Sequence, residues 1–101
     1  MSTDQSLSEL ATHAGAAAAL LKQLANPHRL MILCTLIEGE LSVGDLNARV
    51  PLSQSALSQH LAGLRDAGLV VNRKERQLVF YRLQGTEAIR IIEVLKQMYC
   101  G

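Results

Sequence analysis

The sequence predicts one mainly α-helical domain carrying a small β-hairpin, with elements in the order α-α-α-α-β-β-α. Three observations support this. Leucines recur at three and four residues over much of the chain, as at Leu57, Leu61 and Leu64. One stretch alternates instead: Val79, Tyr81 and Leu83 interleave with Phe80 and Arg82 behind the charged turn Arg73-Lys74-Glu75-Arg76-Gln77. Composition agrees, because 49% hydrophobic residues with only 3% aromatic ones give an aliphatic core, which suits helices better than an all-β design.

The elements follow in order. Asp4 or Ser6 can cap a first helix running to about Ala25, on which Leu7, Leu10, Ala14, Ala17, Leu21 and Leu24 make a regular seam. The small residues in its middle let another helix approach closely, so the seam reads as a dimer interface or as packing on the chain's own core. Asn26-Pro27 is a cap followed by proline at the first helical position, and it starts a second, nearly all-apolar helix to about Glu38. Gly39 closes that helix. Ser42 with Asp45 forms a capping pair for a short third helix to Arg49.

Pro51 forces a turn, and Ser53 caps a fourth helix that runs to Ala67, making a helix-turn-helix. Gly68 ends it. Leu69 to Arg73 reads as a strand, the alternating segment to Leu83 as its return, and Thr86 as the cap of a last helix to Cys100. The apolar side of that helix carries Ala88, Ile91, Ile92, Leu95, Met98 and Tyr99. Helix-turn-helix plus hairpin is a winged helix-turn-helix. No internal repeat or linker divides the 101 residues, so the chain is read as one domain, 1–101. A domain this small buries a modest fraction of its surface, and a homodimer through the first and last helices, with Ile91 and Leu95 joining the seam, relieves that shortage.

The overall charge of +1 excludes a globally basic nucleic-acid coat protein, but the charge is unevenly spread, and residues 49–82 carry a net +4. No apolar run is long enough to span a membrane, and Met1 to Gln5 lacks the basic segment and apolar core of a signal peptide. A cytoplasmic protein is expected. Its two cysteines then read as thiols, metal ligands or redox switches rather than a standing disulfide.

The fourth helix suits a groove of double-stranded DNA. Behind its leucine stripe, the opposite face is small and uncharged near its start. Gln54, Ser55, Ser58, Gln59 and His60 can exchange hydrogen bonds with base edges. Ser55 and Gln59 point most directly away from the leucines, whereas His60 sits near the core edge and reads equally well as a structural histidine. In the wing, Arg73, Lys74, Arg76 and Gln77 are assigned to phosphate or minor-groove contact, with a merely solvated turn as the bland alternative.

The order of elements, together with Leu24-Ala25-Asn26-Pro27-His28-Arg29-Leu30 and the run Leu52-Ser53-Gln54-Ser55-Ala56-Leu57-Ser58-Gln59-His60-Leu61, resembles the ArsR/SmtB family of dimeric winged-helix transcription regulators. Glu40-Leu41-Ser42-Val43-Gly44 and the terminal Tyr99-Cys100 are most similar to its HlyU/BigR/YgaV branch, whose members answer persulfides or oxidants through a cysteine pair. The resemblance implies a regulator, expected to be a repressor, whose operator affinity is switched by oxidation or sulfur cross-linking of Cys34 and Cys100. Its expected partners are operator DNA, a second copy of itself and a reactive sulfur species or oxidant as effector.

Taken alone, Cys34 in its apolar stripe reads as core filler, and Cys100 as the more accessible thiol. Arsenic-sensing relatives carry cysteines where this chain has Ser42 and Gly44. The last helix has no histidine, Glu87 and Glu93 read as solvent-face residues, and His13, His28 and His60 fall on separate helices. No zinc site of usual spacing is visible, so no metal and no cofactor is expected. The alternatives kept are a metal-responsive repressor of the same family and a thiol redox enzyme. The latter is disfavoured because there is no Cys-x-x-Cys and no histidine close in sequence to either thiol.

Overall fold

A computed structural model describes residues 3–100, with side chains described from Ser6 onward. Among the described residues five helices accompany a three-stranded sheet: α1 (Thr3–Leu24), α2 (Pro27–Leu36), β1 (Leu41–Ser42), α3 (Val43–Arg49), α4 (Gln54–Asp66), β2 (Val70–Glu75), β3 (Leu78–Leu83) and α5 (Thr86–Cys100). Three helix starts follow from local hydrogen bonds. The Asn26 side chain accepts from the backbone N–H of His28 at 2.9 Å and of Arg29 at 3.1 Å. The Ser42 and Ser53 hydroxyls accept from the N–H of Asp45 and Ala56, each at 3.1 Å. These side chains satisfy backbone donors that a helix start leaves free.

Leu57, Leu61 and Leu64 of α4 meet Ile32, Leu33 and Leu36 of α2, Leu46 of α3 and Ile92 of α5 in a core from which water is excluded. Each such aliphatic side chain stabilises the fold by roughly 1.5–3 kcal/mol relative to exposure. The turn from α4 into β2 needs Gly68 at φ +77°, a left-handed backbone that a Cβ disfavours.

The sheet keeps the expected hairpin of β2 and β3 and adds a third strand. Its order is β1-β3-β2, because Leu41 and Ser42 pair antiparallel with Tyr81 and Phe80. Other boundaries also move. Ser6 lies inside α1, which begins at Thr3, while the Asp4 side chain is outside the described residues. Helix α2 stops at Leu36, where Ile37 takes the cap position, and β2 runs on to Glu75. Thr86 is the first residue of α5 rather than its cap. Gly85 stands before it, its carbonyl accepting from Ile89 N–H at 3.4 Å.

Helix α1 stands away from this body. Leu24 is buried and Leu20 half-buried, but Leu7, Leu10 and Leu21 are 58%, 65% and 56% exposed, and Ala14 and Ala17 are open. The radius of gyration is 15.7 Å, against about 13 Å for a compact domain of this length. Val94, Met98 and Tyr99 of α5 are likewise exposed, the last two against the sequence expectation of a packed apolar side, while Ile91 and Leu95 are half-buried. Among the described residues no helix is long and apolar enough to cross a membrane.

Candidate nucleic-acid interface and thiol pair

The buried leucines of α4 fix which residues it turns outward: Gln54, Ser55, Ser58 and Gln59 are exposed. Two of them look across at the wing. A cleft of about 520 Å³ lies between α3, α4 and the sheet, with Gln54 and Ser58 on one wall, Gln77 and Leu78 at the wing tip, and Val79 and Tyr81 as its floor. Asn47, not singled out in the sequence, also lines it and donates to the Leu52 carbonyl at 2.8 Å.

His60 does not join that face. It is half-buried, its Nδ1 accepts from Arg29 Nε at 3.4 Å, and its ring lies 5.9 Å from that of His28. Burial first, then the Arg29 and His28 charges, holds its pKa below the ordinary histidine value. Arg29 also donates to the Gln23 side chain and crosses Gly63 so closely that a Cβ there would meet its guanidinium at 2.7 Å. This bridge ties α1, α2 and α4 together.

The wing cations divide in two. In the β2–β3 register Lys74 stands opposite Val79, on the side that floors the cleft, whereas Arg73 stands opposite Phe80 on the other side. Arg73 is fully engaged. Its Nε and one terminal nitrogen fork onto the Glu40 carboxylate, the nearest approach being 2.7 Å. Its other terminal nitrogen donates to Glu75 at 2.6 Å, and the guanidinium lies 4.5 Å over the Phe80 ring. The hydrogen bond from Arg73 holds the Glu40 carboxyl below the usual carboxylate range, and the Arg73 pKa is raised in turn. Lys74 and Arg76 have no acidic partner among the described residues. Arg76 occupies the turn at φ 59°. The carboxylates that capture Arg73 sit 33 positions before it and two after it; only the second was visible as a neighbour.

The chain as a whole resembles known regulators. Residues 26–71 match the model described as bacterial regulatory protein, arsR family. The transcriptional activator HlyU of Vibrio cholerae is 55% identical over 94 residues, covering 93% of this chain and 87% of that protein. This chain belongs to the ArsR family. The biofilm growth-associated repressor of Agrobacterium fabrum is 50% identical over 83% of this chain and 72% of its own. The structure of reduced HlyU from Vibrio cholerae superposes with a TM-score of 0.88 at 55% identity, covering 92% of this chain and 98% of that one. As an ArsR-family member the chain is a winged-helix transcriptional regulator and not an enzyme, and its relatives are named for both activation and repression.

In this ArsR-family chain the two cysteines are free, Cys34 half-buried on α2 and Cys100 exposed at the end of α5. Burial pushes the Cys34 thiol up, Cys100 adds to the rise, and Lys96 opposes it. Cys100 lines a second cleft of about 420 Å³ with Ile37, Glu93, Lys96 and Gln97. Lys96 Nζ meets Glu38 at 3.3 Å. Sequence reasoning missed both of these charges, which are 58 positions apart. Among the described residues no group of three or more histidines, cysteines or acids could hold a metal ion. Ser42 is buried and spends its hydroxyl on the α3 cap.

Proposed function

We propose that this regulator is a homodimeric repressor that reads operator DNA with α4 and releases it when Cys34 and Cys100 become linked. The observation that carries the reading is the outward polar face of α4 beside a wing whose Lys74 and Arg76 are unpaired among the described residues. Gln54, Ser55, Ser58 and Gln59 are assigned to base edges and Lys74, Arg76 and Gln77 to the backbone. His60 supports the helix from behind, and Arg73 braces the wing.

The dimer is assigned to Leu7, Leu10, Ala14, Ala17 and Leu21 of α1 with Ile91 and Leu95 of α5. A second copy would remove an exposed leucine row from water, which is the favourable driving force. Two recognition helices must meet major grooves about 34–36 Å apart, so a small change at the α1–α5 seam misplaces them. Joining α2 to α5 through sulfur is such a change. A coupling of about 1–3 kcal/mol between thiol state and DNA corresponds to a 5- to 150-fold loss of affinity. That HlyU has been described in a reduced form supports thiol state as the relevant variable.

The test is DNA binding and light-scattering mass before and after treatment with glutathione persulfide or peroxide. The parent is expected to be a dimer that loses DNA on treatment, whereas Cys34→Ser and Cys100→Ser keep it. Release by both variants at the parental level would dismiss the dithiol switch, and a monomer on DNA would dismiss the assembly.

A further inference from the structure

The proposed switch has two chemical steps, and the inference here, which rests on that switch, concerns the second. Cys100 is exposed in its cleft, so a small persulfide RS–SH meets it first. The Cys100 thiolate attacks the outer sulfur, a Cys100 Sγ–S bond forms, the RS–S bond breaks, and its electron pair leaves as RS⁻. Closing then requires Cys34 to give its proton to water and attack Cys100 Sγ. The Cys34–Cys100 bond forms, the bond to the added sulfur breaks, and the pair leaves as HS⁻. The persulfide is the only co-reactant.

Cys34 is poorly placed to ionise unaided, since burial and the neighbouring Cys100 both favour its protonated form. Residue spacing and one contact supply a remedy. Glu38 follows Cys34 by four residues and Lys96 precedes Cys100 by four. The 3.3 Å contact between Lys96 and Glu38 joins the last turn but one of α5 to the turn just past the end of α2. Cys34 lies within electrostatic reach of both Lys96 and Cys100, so the two segments run in opposite directions and the thiols fall about one turn, or ~5.4 Å, beyond the ion pair. Lys96 therefore has a carboxylate on one side and the sulfur pair on the other. The ion pair itself is open to water, with the Glu38 side chain 73% exposed and Lys96 38%, so as a stabilising bridge it counts for little.

We propose that Lys96 is a positioning residue for the closing step: its ammonium, tethered by Glu38, favours the Cys34 thiolate opposite Cys100, and Glu38 limits how much of that charge the sulfur receives. The two members of one ion pair then act with opposite sign. A clamp that merely held the helices together would be weakened alike by losing either partner.

The experiment uses the full chain with Lys96→Gln, Lys96→Arg and Glu38→Gln. Each is treated with glutathione persulfide over about pH 6.5 to 8.5, the range in which thiolate populations change. Whole-protein mass against time separates the adduct gaining one sulfur from the closed form lacking two hydrogens. Lys96→Gln is expected to close about threefold more slowly near pH 7, because lost thiolate is partly returned as nucleophilicity of the more basic sulfur. Its pH profile moves upward, Lys96→Arg restores the parental profile, and Glu38→Gln closes faster with a profile moved downward. Closing by Lys96→Gln at the parental rate and profile, or equal slowing in Lys96→Gln and Glu38→Gln, overturns the role given to Lys96. A parent that takes up sulfur and never closes overturns the switch itself, a separate and visible failure.

Discussion

Replacing Lys74 by glutamine should cost far more salt-sensitive DNA affinity than replacing Arg73, although the two are adjacent in β2. Arg73 shares its charge with Glu40 and Glu75, so the three side chains together carry −1 and each of its three nitrogens already donates to a carboxylate. Lys74 has no such partner among the described residues and stands on the cleft side of the sheet. In a dimer Lys74→Gln removes two phosphate contacts, and the slope of log affinity against log salt should fall by about 1.8. Between about 50 and 200 mM salt that is roughly a twelvefold difference in how steeply affinity declines. Fluorescence anisotropy with labelled operator over a salt series measures it. Arg73→Gln should leave the slope near the parental value. Equal loss of slope in the two variants, or none in Lys74→Gln, would refute the division of the wing into a braced and a free cation.

Two further outcomes concern α4. Ser53→Ala removes the cap bond to Ala56 and is expected to cost about 1 kcal/mol, lowering Tm by about 4–8 °C for a domain this size. Ser55→Ala should leave Tm unchanged in the same circular-dichroism melt while weakening DNA binding. For His60 the folded pKa lies below the unfolded one near 6.5, so the unfolded chain binds the proton more readily. Its share of stability is complete above pH 6.5 and is lost as pH falls through the folded value. Urea unfolding from pH 8 to pH 5 should therefore show a steeper decline for the parent than for His60→Gln.

Local chemistry was readable in the chain; distant partners were not. Asn26, Ser42 and Ser53 each bond a backbone N–H within three residues, which is why their helix starts could be placed. The buried stripe of α4 followed from its period, and with it the outward residues. Strand β1 has only two residues, too few to alternate, and exists because Tyr81 and Phe80 arrive from the far end of the chain. Arg73 read as a free wing cation because Glu40 lies 33 positions away. The row on α1 follows from its period, but periodicity says only that a face is apolar and not what covers it; in one chain Leu7, Leu10 and Leu21 face water. Of the polar residues assigned to DNA, the fold gathers Gln54, Ser58 and Gln77 around one cleft and draws His60 inward.

Ser42 serves two masters at once, closing a sheet edge against Phe80 while its hydroxyl starts α3. The hairpin and α3, the helix that leads into α4, are thereby tied together at the same residue. In the proposed dimer, a signal passed between two such units would be read out as the angle between them.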